Sequence, residues 1–204
     1  EGRYAYRNQP GIAAWNLARL AEAMLPLLGN GKEAALHNAQ EAIAQFGKQY
    51  RAYWYEGMFL KLGIADGGKD DEQLVEALLM LMQKYQVDYT NTFLSLLHDA
   101  EQDFPLNDIT EFRQWYGNWK KRLEEGAESE DVVKERMRAY NPAIIPRNRW
   151  VEEAIEAAVD HGDFSETQKL LQVLKHPFAH TEEQQAFAAK SFTLSGSYQT
   201  FCGT

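Results

Sequence analysis

Along most of the chain, apolar residues recur every three or four positions, the spacing of one face of an amphipathic helix. The first stripe follows Pro10 and consists of Ala13, Leu17, Leu20, Met24 and Leu27. Pro26 is expected to end or kink this helix, and Gly29–Gly31 closes it. The same spacing predicts helices over residues 32–62 (capped by Gly63), 71–87, 91–98, 108–125, 130–140, 149–160 and 166–175. No run alternates with the period of a strand, so the chain is predicted to be all-α.

Residues that favour helix N-caps mark several of the predicted starts. Thr90 and Ser129 are of the types preferred at this position. Two segments, Ser165–Gln168 and Thr181–Gln184, have the capping-box pattern, in which the first and last side chains bond each other's backbone N–H groups. From Lys190 onward the chain is rich in Ser, Gly and Thr, which predicts a tail without regular structure.

One group of aromatic residues has helical spacing. Phe112, Trp115 and Trp119 fall in line with Leu123 on the helix predicted over residues 108–125. Large side chains on one helix face are typical of a buried core. We therefore predict that this line is core and not a platform for a ligand.

The overall composition narrows the classes of function. The chain has 204 residues, 45% of them apolar, and a net charge of −9. This charge argues against nucleic acids and anionic membranes as partners, because both require a basic face. No apolar run reaches the roughly 20 residues that span a bilayer. A single cysteine cannot form an intrachain disulfide, which indicates a reducing compartment. We expect a cytoplasmic protein.

Motifs for catalysis or metal binding are weak. Gly29–Lys32 and Gly67–Lys69 resemble parts of phosphate loops, but Glu33 and Asp70 follow the lysines where such a loop has Ser or Thr. Helix caps and turns explain both segments. The five histidines lack the spacing of metal ligands, and acidic pairs such as Asp70–Asp71 fall at predicted helix starts, where the helix dipole favours negative charge. We predict no catalytic, cofactor-binding or metal-binding residue here.

A cluster of basic residues flanks Asn141 and Pro142. It consists of Lys134, Arg136, Arg138, Arg147 and Arg149. The cluster could hold an anion or an acidic patch of a partner, or its members could pair with neighbouring acids. Those acids are Glu130, Asp131, Glu135, Glu152 and Glu153. We prefer self-pairing, because like charges flanked by opposite ones usually pair.

The chain begins without methionine on an aromatic segment, which we interpret as the interior of a longer protein. Gly2–Tyr6, followed by Asn8–Pro10 and Trp15–Leu20, resembles the stretch after the activation segment in the selenoprotein O family. Members of this family are kinase-like proteins that transfer AMP to other proteins. Further blocks similar to the family follow in its order: Val87–Phe93, Asn141–Asn148, Glu152–Ile155, Gly162–Phe164 and Thr200–Thr204.

The resemblance implies a protein-kinase-like fold, of which this chain would be a helical bundle forming the C-terminal lobe and a helical extension. It implies an irregular arm at residues 1–10, a lobe-like domain at 11–140, an extension at 141–189 and an irregular tail at 190–204. Five arm residues are expected to anchor the end of the activation segment: Arg3, Tyr4, Tyr6, Asn8 and Gln9.

The activity that the resemblance implies is protein adenylylation, the transfer of AMP from ATP to Ser, Thr or Tyr hydroxyls. The family's nucleotide- and metal-binding residues belong to the part upstream of these blocks. ATP and magnesium are therefore expected in the parent protein and not on this chain, which is expected to be inactive alone. Its implied partners are the upstream kinase-like lobe and the protein substrates, with no nucleic acid and no membrane.

Cys202 lies in the region where animal members of the family carry selenocysteine. A cysteine beside Gly203 near a chain end is expected to be accessible. The resemblance implies redox control through pairing with a cysteine in the activation segment. The alternative is an incidental free thiol.

A second function is compatible with the residues taken without the resemblance. The chain could be a non-catalytic, all-helical interaction module that binds a protein through an acidic or aromatic surface. Helical periodicity and composition do not separate this module from part of an enzyme.

Overall fold

The computed structural model describes residues 5, 8–98 and 106–191, and nine helices lie within them. In chain order they are α1 (Gln9–Met24), α2 (Lys32–Lys61), α3 (Lys69–Tyr85), α4 (Tyr89–Leu97), α5 (Thr110–Glu125), α6 (Glu130–Tyr140), α7 (Asn148–His161), α8 (Ser165–Leu174) and α9 (Glu182–Ser191). A short 3-10 helix, Leu25–Leu27, follows α1 where Pro26 was expected to interrupt it. None of these described residues forms a β-strand, which confirms the all-α prediction for this part of the chain.

The predicted helix starts differ from the structure at Thr90 and Ser165. The N-cap of α4 is Asp88, whose carboxylate accepts from the N–H of Asn91 at 2.8 Å, so Thr90 lies inside the first turn. Ser165 is the first residue of α8, and its N–H donates to Oδ1 of Asp163 at 2.8 Å. At α4 a carboxylate, a stronger acceptor than a hydroxyl, thus makes the capping bond. At α8 the N-cap is Phe164, which makes no side-chain capping bond, and Asp163 holds the N–H of the first helical residue.

Two other predicted caps occupy their expected positions. Thr181 and Gln184 form the predicted reciprocal pair at the start of α9, with N–H to side-chain oxygen distances of 3.1 and 3.3 Å. Ser129 is the N-cap of α6, although its side chain makes no capping hydrogen bond. The tail predicted from Lys190 was placed too early, because α9 continues to Ser191.

The structure divides into two compact units, residues 1–57 and 58–204, which we call the N-terminal and C-terminal units. In the N-terminal unit, α1 has no buried residue. The buried apolar residues of this unit lie on α2 and are Ala35, Ala39 and Tyr55.

The C-terminal unit has its core along the aromatic line of α5. Phe112, Trp115 and Trp119 are buried, as predicted, and the two indole rings stack with centroids 5.9 Å apart. Each indole N–H donates to a backbone carbonyl, from Trp119 to Leu62 at 2.9 Å and from Trp115 to Leu74 at 2.8 Å. These bonds satisfy the polar edge of each ring inside the apolar core.

Gly63 turns the chain after α2, as its predicted capping role requires. Its φ of +79° is in the left-handed region that glycine adopts without steric cost. A Cβ at this position would also lie 2.6 Å from Cγ1 of Val133. Backbone conformation and packing therefore both demand glycine here.

A smaller core lies under α7, α8 and α9. Ile144, Leu170 and Val173 are buried in it, and the rings of Trp150 and Phe187 meet edge to face at 5.6 Å. Among the helices described, none is long and apolar enough to cross a membrane.

Candidate functional site

Two sets of bonded polar residues lie where α2 ends, α4 begins and the loop after α6 passes, all within the C-terminal unit. They are Lys61 with Asn141, and Arg147 with Asp88 and Asn91, and we call the five residues together the polar junction. The Lys61 ammonium lies near the α4 rings of Tyr89 and Phe93, which links the first set to α4. This site draws together two sequence blocks singled out above, residues 87–93 and 141–148. Sequence analysis treated these blocks separately and did not predict that they meet.

Asn141 is the centre of the junction and is only 1% exposed. Its side-chain amide donates to the carbonyl of Lys61 at 2.8 Å and to the carbonyl of Met137 at 2.9 Å. Its Oδ1 accepts from Nζ of Lys61 at 3.3 Å. One buried side chain thus closes the C-terminal end of α2 onto the C-terminal end of α6, and it gives a partner to the carbonyl of Lys61, the last residue of α2.

Lys61 is held by neutral oxygens and aromatic rings. Besides Asn141, its ammonium donates to the carbonyl of Tyr140 at 2.7 Å. It lies 5.9 Å from the ring centroid of Tyr89 and 5.5 Å from that of Phe93, within the range of cation–π attraction. Burial lowers the pKa of Lys61 below its ordinary value. The junction therefore fixes a partly desolvated cation at the end of α2.

Arg147 clamps the start of α4. Its guanidinium forms a two-pronged pair with the Asp88 carboxylate, in which Nη2 donates to Oδ1 at 2.8 Å and Nη1 to Oδ2, and Nη2 also donates to Oδ1 of Asn91 at 3.2 Å. Burial alone would raise the pKa of Asp88, but the bonds from Arg147 and from the N–H of Asn91 outweigh it and hold that pKa below its usual range. The same carboxylate caps the helix and binds the arginine, so loop and helix are joined through one residue.

His180 connects the last helices to the junction. Its Nε2 lies 2.9 Å from the carbonyl oxygen of Asn141 and 3.3 Å from that of Arg138. Because carbonyls only accept, Nε2 is the donor in both contacts. Nδ1 is buried and has no hydrogen-bond partner among the described residues. The residue also adopts a left-handed φ of 54°, a conformation uncommon for residues other than glycine.

The basic cluster is largely self-paired, as preferred from the sequence. The pairs are Lys134–Glu130 at 2.5 Å, Arg136–Glu128 at 2.5 Å, Arg149–Glu153 at 2.7 Å and Arg147 with Asp88. Arg136 binds Glu128 and Arg147 binds Asp88, and neither acid is among those proposed from the sequence. The proposed acids lie near the basic residues in sequence, whereas these two are brought close by the fold. The guanidinium of Arg136 also donates to the carbonyl of Gly63 at 2.8 Å.

A buried ion pair was missed by the sequence analysis. Asp71 is 6% exposed and accepts from Nε of Arg122 at 2.8 Å, while its other oxygen accepts from the N–H of Gly68 at the start of α3. The helix-start position of Asp71 was predicted, but its burial was not. The helix dipole explains why an acidic residue occupies position 71. It does not predict the pairing with Arg122, which lies 51 residues away in sequence.

The residues predicted to anchor the activation segment fall largely outside the described part. This is the case for Arg3, Tyr4 and Tyr6, and also for Cys202, the redox candidate. Asn8 and Gln9 are described: the N–H of Asn8 donates to the carbonyl of Ala5 at 2.8 Å, and Gln9 is the first residue of α1. Their anchoring role stays a prediction.

Within the described residues, no group of three or more His, Cys, Asp or Glu side chains is placed to hold a metal ion. The polar junction itself presents paired charges and bonded amides. Such an arrangement can lock helices together, and we assign it no proton transfer or nucleophilic role.

Comparison with known proteins identifies the chain. The sequence model of a family described as protein adenylyltransferase SelO matches residues 1–175. The chain belongs to this family. The resemblance to the selenoprotein O family is thereby confirmed.

Curated SelO relatives extend the match to the whole chain. Proteins described as protein nucleotidyltransferase YdiU from Bacillus thuringiensis (strain Al Hakam) and Bacillus cereus (strain AH187) are each 47% identical to it over 204 residues. The corresponding protein of Bacillus anthracis (strain CDC 684 / NRRL 3495) is 46% identical over the same length. All of this chain but only 42% of each relative is covered. The chain thus spans less than half the length of these SelO relatives.

Proposed function

We propose that the chain forms the C-terminal helical part of a protein adenylyltransferase. In this reaction a Ser, Thr or Tyr hydroxyl of a substrate protein attacks the α-phosphorus of ATP, pyrophosphate leaves and the hydroxyl proton is released. The observation that carries the proposal is membership of the SelO family over residues 1–175, together with relatives described as protein nucleotidyltransferases.

The chain's own part in this reaction is proposed to be support. We assign it to the C-terminal lobe of a kinase-like fold with a helical extension, and place the ATP and magnesium sites in the portion of the parent that the chain does not span. In the C-terminal unit, the polar junction joins the lobe helices α2, α4 and α6, and His180 ties the extension to the same point. This bonding favours a rigid scaffold, because each buried polar group at Asn141 has its partner.

Partners and location follow from the same proposal. The partners would be substrate proteins and the upstream lobe of the parent, and the location would be the cytoplasm.

Cys202 is proposed to pair with a cysteine of the activation segment on oxidation. Peptide mapping of the oxidised parent under non-reducing conditions tests this, and a Cys202 peptide recovered only as the free thiol would refute it.

The activity is tested by incubating the parent protein and the 204-residue chain side by side with magnesium and ATP labelled on the α-phosphate. We expect label on protein with the parent and none with the chain alone. A folded parent that binds ATP and transfers no label would overturn the proposed activity and direct attention to the interaction-module alternative.

Two parent variants test the supporting role. Arg147→Ala removes the clamp on Asp88, whereas Arg149→Ala removes an exposed pair with Glu153 within α7. We expect slower AMP transfer and a lower melting temperature for Arg147→Ala and values close to the wild type for Arg149→Ala. Equal behaviour of the two variants would show that the junction does not support the catalytic part.

A further inference from the structure

The apolar stripe on α1, whose residues have the spacing of one helix face, is exposed. Leu17, Leu20, Met24 and Leu27 follow one another at three- and four-residue steps and therefore lie on one side of the helix and its 3-10 extension. Their exposed fractions are 37%, 54%, 38% and 80%. We call these four residues the α1 stripe.

An uncovered surface of this kind requires an explanation. The four side chains are long and aliphatic, none carries a charge, and the whole of α1 has no buried residue. Single exposed leucines are ordinary, whereas a continuous row of them marks an interaction surface. An amphipathic helix also gains most of its stability by burying its apolar face. The α1 stripe therefore has the properties of one half of an interface.

We propose that the α1 stripe is the surface on which the remainder of the parent polypeptide packs. The proposal rests on the proposed function, in which this chain is the C-terminal part of a longer enzyme. The SelO relatives are more than twice as long as the region they share with this chain, so more than half of the parent lies outside it. With this chain as the C-terminal part, α1 is its helix nearest in sequence to the missing portion.

The chemistry of the surface favours this occupant over a second copy of the chain. A continuous row of exposed aliphatic side chains resembles part of a domain core cut in two, which is typical of permanent interfaces. A covalently joined partner is also present at high effective concentration, so it covers the stripe before another molecule can.

Thiol labelling in the full-length parent tests the proposal. Leu20→Cys places a cysteine in the stripe. Leu171→Cys is the matched control, because Leu171 is also a helical leucine and is 63% exposed, on α8. Each parent is treated with a maleimide, and the rate at each position is read by peptide mapping, with unfolded protein as the reference for full reactivity.

We expect the cysteine at position 20 to react at least about tenfold more slowly than that at position 171, because it reacts only when the packed portion opens. Equal rates would overturn the proposal. Protection that disappears on dilution, together with a dimer in sedimentation, would also overturn it in favour of a second copy. Met24→Cys replaces Leu20→Cys if the latter parent does not fold.

The readout is independent of catalysis. A parent that is protected at position 20 but transfers no AMP would refute the proposed activity and leave the packing surface standing. A parent that transfers AMP while the cysteine at position 20 reacts freely would refute the packing surface and leave the proposed activity standing.

Discussion

Replacing Asn141 with alanine should destabilise the C-terminal unit more than any single exposed polar substitution. The change removes two donated hydrogen bonds, to the carbonyls of Lys61 and Met137, and one accepted from the Lys61 ammonium. The Met137 carbonyl keeps the backbone N–H of residue 141 at 2.9 Å, and the ammonium keeps the carbonyl of Tyr140. The carbonyl of Lys61 therefore bears the main loss.

The expected magnitude follows from these bonds. A buried hydrogen bond contributes about 1 kcal/mol net, and an acceptor left buried without a partner costs about 1–3 kcal/mol. With the small cavity left by the amide, we expect Asn141→Ala to lower the free energy of unfolding by about 2–4 kcal/mol.

Urea unfolding of the chain, followed by tryptophan fluorescence and helical circular dichroism, measures this change. Trp115 and Trp119 report on the core of the C-terminal unit. Asn118→Ala on the exposed side of α5 is the control and should stay within about 0.5 kcal/mol of the wild type. A loss below about 1 kcal/mol for Asn141→Ala would refute the reasoning, because it would mean that water replaces the junction's bonds without cost.

Three further outcomes are expected. Ala127→Gly, at a left-handed φ of 52° just after α5, should raise the unfolding free energy by roughly 0.5–1 kcal/mol in the same urea titration. Trp119→Phe should lower it by about 1–3 kcal/mol, because the buried carbonyl of Leu62 loses its indole donor. Arg147→Gln should flatten the acid dependence of stability. The lowered pKa of Asp88 gives a contribution that is complete above the unfolded value of about 3.9 and is lost as the pH falls through the folded pKa. Unfolding free energies measured between pH 7 and pH 3 would show an unchanged slope if the Asp88–Arg147 pair contributes nothing.

The helices were predictable because their signal is local. Every predicted helix is present, since an apolar period of three to four residues and punctuation by Gly and Pro act within one segment. The errors are also local. Thr90 and Ser165 have the right chemistry for caps, but Asp88 and Asp163 lie within two residues and are better acceptors. A rule that considers one residue at a time does not resolve such competition.

The polar junction was not predictable from spacing, because its contacts join residues far apart in sequence. Lys61 and Asn141 are 80 residues apart, and Arg147 and Asp88 are 59 residues apart. Pairing was predicted for Arg147, but with acids near it in sequence such as Glu152 and Glu153. The sequence signal that did point to this place was the resemblance of residues 87–93 and 141–148 to blocks of one family. It marked the two halves of the junction without indicating that they touch.

Substitutions in the junction and in the α1 stripe should have different effects on stability. The difference distinguishes residues that stabilise the chain itself from residues that attach it to the rest of the parent. The junction's polar groups are bonded within the C-terminal unit, so Asn141→Ala should destabilise the chain alone and the parent alike. The stripe is uncovered in the chain, so Leu20→Ser should leave the stability of the chain nearly unchanged. In the parent the same change should cost about 1.5–3 kcal/mol, the contribution of one covered leucine. If Leu20→Ser destabilised the chain and the parent equally, its cost would come from helix propensity and not from a covering segment, and the stripe would have no role in joining the chain to the rest of the parent.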